Sequence, residues 1–200
     1  MDALTPSERK PARRAVREII ETVLVAALLY AVVSTAFGRF EIQQVSMEPT
    51  FHAGQRVIVI RWERLLAPVL AEVAHAEDGQ TSAPFAFRRG HVVVFYPDPL
   101  HEGTPLVKRV IGVPGDEVAI ARGQVRINGQ RLDEAYVHGL PTDCTRYCRP
   151  LVLGPGQYFM LGDNRPQSGD SRSFGPVAED EIIGHVVLRY WPLDSVEFYP

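Results

Sequence analysis

Ile19 to Phe37 reads IIETVLVAALLYAVVSTAF, nineteen residues with Glu21 as the only charge. As a helix rising about 1.5 Å per residue, such a run covers roughly 28 Å, most of a hydrocarbon core of about 30 Å. Glu21 stands near the N-terminal end of the run, where a carboxylate reaches headgroups. Before the run, Arg9, Lys10, Arg13, Arg14 and Arg17 outweigh Asp2, Glu8 and Glu18. Basic flanks stay in the cytoplasm, so the expected order is N-in, C-out. Residues 1–18 are then a cytoplasmic basic tail, 19–37 a transmembrane signal-anchor helix, and 38–200 an extracytoplasmic domain. Two other readings compete. A buried core helix fits the length but not the all-round apolarity. A cleavable signal peptide ending near Ser34-Thr35-Ala36 fits the small-x-small pattern, although the apolar stretch exceeds a usual h-region. Anchor and signal peptide alike export the same domain.

That domain is ordinary in bulk. With 46% hydrophobic and 22% charged residues the chain is neither disordered nor wholly membrane-embedded. A net charge of −3 and scattered arginines exclude a nucleic-acid partner. Cys144 and Cys148 are the only cysteines, four apart in a loop of Pro, Thr and Arg. Outside a membrane they are disulfide candidates, with two reduced thiols as the alternative. Two thiols without a nearby His pair do not make a zinc cage, so no metal is expected.

After Phe37 the pattern turns to period two and short apolar runs. Phe40 to Gln44 alternates, Arg56 to Ile60 is β-branched, and His91 to Tyr96 is a continuous apolar strand between Gly90 and Pro97. Leu106 to Val113 is another strand, ended by the turn sequence Pro114-Gly115-Asp116. Glu117–Ile120 and Gln124–Ile127 pair across Arg122-Gly123, and Asn128-Gly129 supplies a hairpin turn into Gln130-Arg131-Leu132. Tyr158 to Leu161 and Ile183 to Tyr190 bring the total to about eight to ten strands. Residues 137–156 read as loop, and 63–88 as an insertion with a short helix at Leu65–Ala76. The expected fold is mainly β: an antiparallel β-sheet catalytic domain with one N-terminal transmembrane helix.

Ser46 lies in Ser46-Met47-Glu48-Pro49-Thr50, nine residues beyond the apolar run. A serine hydroxyl needs a base to become a nucleophile. Of six histidines, His91 and His185 sit in strand patterns and His52, His75, His101 and His138 in loops, none in a triad context. Gly169-Asp170-Ser171 superficially matches a serine-protease nucleophile, but Arg172 follows where glycine is expected. Lysine is the other base, provided burial lowers its pKa from about 10.4 by roughly 3–5 units. Arginine cannot substitute, since its guanidinium stays protonated. Lys10 and Lys108 are the only lysines among 21 basic side chains. Strand alternation puts Lys108 on one face with Leu106 and Val110, an apolar setting for an amine.

Four stretches in order resemble the type I signal peptidase family. Ser46 to Thr50 is similar to its nucleophile box, with Phe40 and Ile42 placed as expected before it. Arg89 to Phe95 resembles its next strand, and Lys108 to Asp116 its general-base box. Gly162-Asp163-Asn164-Arg165, followed by Ser168 to Gly175, resembles its last box. The resemblance spans about residues 40 to 175, behind an N-terminal anchor.

What the resemblance implies is a Ser-Lys dyad that removes signal peptides from exported preproteins after small-x-small (Ala-x-Ala) sites. Ser46 is the implied nucleophile, neutral Lys108 the general base, and the Ser46 N–H part of the oxyanion hole. A second donor often comes from a serine two residues earlier in the family; here that position is Gln44, behind Gln43 where proline is common. Ser168 matches the residue that orients the lysine, and Asp170 with Arg172 a supporting ion pair. Phe40, Ile42, Met47, Leu106 and Val107 match positions that line the substrate pockets. Asp163, Asn164 and Arg165 carry no assigned role. Phe51 and Trp62 are available to rest on lipid or to pack in the core. No cofactor is implied. The implied partners are signal peptides and the bilayer, near the secretion translocon. The implied place is the inner (plasma) membrane, single-pass, with the catalytic domain on the periplasmic side.

Other readings stay open. One is a specialised relative that processes a single secretion, pilus or conjugation partner, for which the Gln43-Gln44 departure leaves room. Another is an exported β domain that binds peptides without cutting, against which the presence of both Ser46 and Lys108 argues. Soluble Ser-Lys self-cleaving repressors fit neither the anchor nor the lack of a DNA-binding region.

Overall fold

A computed structural model describes residues 9–61, 87–98, 100 and 103–199. The expected helix at Leu65–Ala76, most of the 63–88 insertion, Trp62, His75 and His101 lie outside the described residues. The chain divides into two compact units, residues 1–36 and 37–200.

The first unit is helix α1 (Arg9–Ala36). Within Arg14–Ala36 an 18-residue window has a mean hydropathy of 2.1 and none of it is buried, unlike a packed core helix. Arg14 with Glu18 and Arg17 with Glu21 form i,i+4 ion pairs at its basic end. The helix stops one residue earlier than expected. Phe37 belongs instead to strand β1 (Phe37–Glu41), where it pairs with Ile60 of β2 (Arg56–Ile60). Sheet pairing claims the aromatic because its backbone N–H and C=O find partners there that a fraying helix end lacks.

The second unit holds two antiparallel sheets. The larger is built from β1, β2, β3 (Val92–Phe95), β4 (Leu106–Gly112), β9 (Gln157–Leu161), β10 (Val177–Ala178), β11 (Ile182–Trp191) and β12 (Glu197–Phe198). Its order is β1-β2-β11-β3-β4-β9-β10, with β12 on β11. The smaller sheet has order β7-β6-β5-β8, from β5 (Glu117–Ala121), β6 (Gln124–Ile127), β7 (Gln130–Arg131) and β8 (Leu151–Val152). Asn128 and Gly129, both at positive φ (52° and 80°), make the tight turn between β6 and β7. The region 137–156 is not all loop: β8 pairs Leu151 and Val152 with Val118 and Glu117. Two residues are too few to show a period.

Three apolar clusters fill the unit. Val92 and Val94 of β3 enter one with Ile42, Met47, Phe51, Val57 and Val59. Val93 and Phe95, on the opposite face, enter another with Val110, Tyr158 and Met160. A strand buried on both faces reads as a continuous apolar run, which is why 92–95 is VVVF. The third cluster joins Ile111, Phe159 and Leu161 to Val118, Ile120 and Val125, and so packs the small sheet beneath β4 and β9.

Candidate active site

Ser46 is the middle residue of a 3-10 turn, Val45–Met47, that follows β1. The turn is held from two sides. Met47, 1% exposed, plugs into the core, and Phe51 N donates to Met47 O at 2.9 Å. From across the molecule, Asn164 N donates to Ser46 O and Asn164 Nδ2 to Val45 O, each at 3.1 Å. Gly162 lies so close that a Cβ on it would collide with Ser168 Oγ and with the Ser46 carbonyl oxygen.

Lys108 comes from β4, opposite Val93 of β3. Its amine donates to Ser46 Oγ at 2.7 Å and to Val107 O at 3.0 Å. Both side chains are buried, Lys108 at 1% exposure and Ser46 at 5%. Burial pulls the Lys108 pKa from 10.5 down to about 8, against the raising fields of Asp170 and Asp163. That change favours the neutral amine by roughly 3 kcal/mol. Among the described residues the amine bonds to no carboxylate, so the fields of Asp170 and Asp163 restore the charged form only in part.

Two ion pairs frame Ser46 and Lys108. Arg109 binds Asp163 with two parallel bonds, Nε to Oδ1 at 2.8 Å and Nη2 to Oδ2 at 2.6 Å. Thr50 Oγ1 donates to the same Asp163 Oδ2 at 2.6 Å, tying the nucleophile segment to the pair. Arg109 also donates to Gly90 O and lies 4.1 Å from the centroid of the Tyr136 ring. The second pair is Arg172 with Asp170, at 2.8 Å. Asp170 caps α2 (Ser171–Phe174) and accepts the Gly162 N–H at 3.1 Å. Ser171 Oγ accepts the Met160 N–H in the interior, so Gly169-Asp170-Ser171 holds no accessible nucleophile.

A cleft of about 230 Å³ opens beside Ser46. Phe40, Ile42, Gln44, Met47 and Val107 line it, with Arg39, Gln43 and Thr104. Leu106 does not: strand alternation turns it away from Val107, and it packs with Val93, Phe95 and Val110. Gln44 is exposed, and its side chain does not cap the turn that follows. Ser168 Oγ is buried without a hydrogen-bond partner among the described residues, and it makes no bond to Lys108. Phe51 is core, its ring tilted against Tyr199 with centroids 4.7 Å apart. His91 and His185 stack on each other, with ring centroids 4.8 Å apart. Cys144 and Cys148 form a disulfide, with Cα atoms 5.6 Å apart.

Several residues of this framework carried no role in the sequence reading. Arg109 and Asp163 sit inside the boxes that resemble the family's, and the charge of Arg109 within an apolar strand was the available signal. Thr50 closes the nucleophile box. Arg165, wholly buried, binds Glu134, Thr142 and the Gly162 carbonyl. Glu134 and Thr142 lie 31 and 23 residues from it, and nothing local marks them as its partners.

The chain is similar to known signal peptidases. The family model described as signal peptidase, peptidase S26, matches residues 16–191. A probable signal peptidase I-2 of Synechocystis is 34% identical over 188 residues, 90% of this chain and 75% of its own. Signal peptidase IB of Staphylococcus aureus is 32% identical over 199 residues, 90% of this chain and 93% of its own. A crystal structure of a signal peptidase I from Enterococcus faecalis is 30% identical and covers 50% of this chain and 95% of that one, with a TM-score of 0.40. Because the family match runs from within α1 to the last residue of β11, the chain belongs to the signal peptidase family, peptidase S26, and is a serine endopeptidase that cleaves signal peptides.

Proposed function

We propose that Ser46 is the nucleophile and neutral Lys108 the general base of a membrane-anchored peptidase acting after small-x-small sites. The observation that carries this reading is the 2.7 Å contact between Lys108 Nζ and Ser46 Oγ, buried at the margin of an open cleft. A neutral amine keeps two N–H bonds and one lone pair. One N–H is held by Val107 O, which leaves the lone pair free to take the Ser46 proton as Oγ attacks the scissile carbonyl. Protonated Lys108 then gives that proton to the leaving amine. Lys108 next activates the water that hydrolyses the acyl-enzyme. The Ser46 N–H, in the first turn of a 3-10 helix and so without an intrahelical acceptor, is the backbone donor for the developing oxyanion. Gln44 supplies the side-chain donor: it lines the same cleft, and no cap interaction occupies it.

The substrate mode follows from β1, the terminal strand of its sheet. Ile42 spends its N–H and C=O on Gln55 and Gly54, so alternation turns those of Glu41 and Gln43 to the free edge. An extended peptide adds there as a further strand. Ile42, Met47 and Val107 offer it a shallow apolar surface that suits alanine-sized side chains. Helix α1, with its basic start, supports a single span with the N-terminus in the cytoplasm, the domain outside and the translocon nearby.

The test is cleavage of a preprotein ending in Ala-x-Ala by the full-length protein in phospholipid vesicles. Ser46→Ala and Lys108→Ala should each abolish it, and kcat/KM of the native chain should rise with pH to an inflection near 8. Full activity in Lys108→Ala would sink the dyad. Activity on a single dedicated partner, with none on general preproteins, would mark a specialised enzyme.

A further inference from the structure

The disulfide loop takes no part in the chemistry above, yet its contacts converge on one residue. Arg146 N and Tyr147 N, consecutive amides, both donate to Arg172 O at 2.9 Å. Arg172 Nη1 returns a bond to Asp143 O at 3.1 Å. The Tyr147 ring covers Gly175 so closely that a Cβ there would meet its carbons at 3.3 to 3.6 Å. On its other side the loop is fixed to the small sheet: Ile120 N donates to Cys148 O at 3.0 Å, and Cys148 is buried in the cluster beneath that sheet. Successive N–H groups aim at one acceptor only in a tight, nest-like turn. The Cys144–Cys148 bond closes a ring around the two residues that supply those donors.

From Arg172 the contacts lead inward. Its guanidinium binds Asp170 through Nε and Nη2, and Nη2 also donates to Arg165 O at 2.6 Å and Ser168 O at 3.2 Å. Asp170 accepts the Gly162 N–H, and the bare Cα of Gly162 abuts the Ser46 carbonyl. We infer that the disulfide loop is a positioning device for the dyad, holding Arg172 and, through Asp170, the backbone on which Ser46 rests. The inference relies on Ser46 and Lys108 being nucleophile and base. Opening the bond takes two electrons and two protons from an external dithiol, which becomes a disulfide itself. It leaves two thiols and a loop free to turn its amides away.

The experiment uses the full-length protein in phospholipid vesicles and two ways of removing the bond. One is the double variant Cys144→Ser/Cys148→Ser. The other is native protein treated with excess dithiothreitol after folding, with completeness read by thiol labelling. Cleavage of an Ala-x-Ala preprotein should show kcat lowered about tenfold, as for a small misplacement of reacting groups, with KM within about twofold. The pH inflection should move upward. The carboxylates acting on Lys108 are Asp170, paired with Arg172, and Asp163, paired with Arg109. A loosened Arg172 leaves Asp170 less compensated and admits water to the amine, and both favour the charged form. Amide exchange in the peptide 160–175 should quicken, and reoxidation should restore kcat. If the double variant does not fold, the reduced native protein decides. An unchanged kcat overturns the inference, whatever happens to the unfolding midpoint. If native protein and Ser46→Ala both cleave nothing, the reading of general preprotein cleavage fails; unchanged exchange in 160–175 then overturns the loop's role, and faster exchange supports it.

Discussion

Lys108 and Arg109 are neighbours on β4, both basic, one buried and the other partly so, yet their surroundings treat them oppositely. Arg109 meets a carboxylate with two parallel bonds, a backbone carbonyl and an aromatic face. Lys108 meets a hydroxyl and a carbonyl. Arg109 has its pKa raised: burial opposes its charge, but Asp163 outweighs burial. Lys108 has its pKa lowered because burial outweighs the fields of Asp170 and Asp163, neither of which bonds to the amine. The lesson is that burial alone does not make a base. What separates base from strut is whether a counter-charge sits within bonding distance.

The widest gap between the two positions should appear when each is exchanged for the other's residue type. Lys108→Arg places a permanent cation at the Ser46 hydroxyl, and kcat/KM should fall by roughly 10⁴-fold or more while the fold persists. Circular dichroism and the preprotein assay together check this; substantial cleavage would break the contrast. Second in size is Asp163→Asn, which leaves Arg109 buried without its counter-charge. Chemical unfolding should show a loss of about 3–5 kcal/mol. Removing that carboxylate also removes a field that favours Lys108 in its charged form, so the pH inflection should fall below that of the native enzyme.

A third effect concerns stability against pH. Because the folded pKa of Lys108 is lowered, the unfolded chain binds more protons between about pH 8 and 10.5. Stability from this group should therefore rise by roughly 3 kcal/mol through that window, after the global charge trend is subtracted. Lys108→Met should remove the rise; a slope identical to that of native protein would mean the amine is not desolvated. The smallest effect is expected for Arg109→Lys, which keeps charge but loses the two-pronged geometry. It should cost about 1–2 kcal/mol in unfolding and little in kcat.

Much of this site could be read from the chain. Ser46 and Lys108 were legible because scarcity, position and strand alternation isolate them, and most strands announced themselves by period two. Leu106, matched to the pocket by family position, packs in the core cluster with Val93 and Val110 and does not line the cleft beside Ser46. Phe37 was given to the helix since hydropathy cannot see the pairing with Ile60. The Glu134–Arg165 contact and the grip of the Cys144 loop on Arg172 were invisible for a different reason. Each joins segments distant in sequence, and no periodicity records a contact made only on folding.

The missing side chain at Gly162 has one more consequence. Its backbone and the nucleophile's carbonyl share a gap into which not even a methyl group fits. Variation at this position is therefore all or nothing. Gln44, exposed along the cleft, meets no such limit. At position 162 a chain lineage has one acceptable letter, so adaptation of this enzyme to new substrates must be written on side chains that line the cleft.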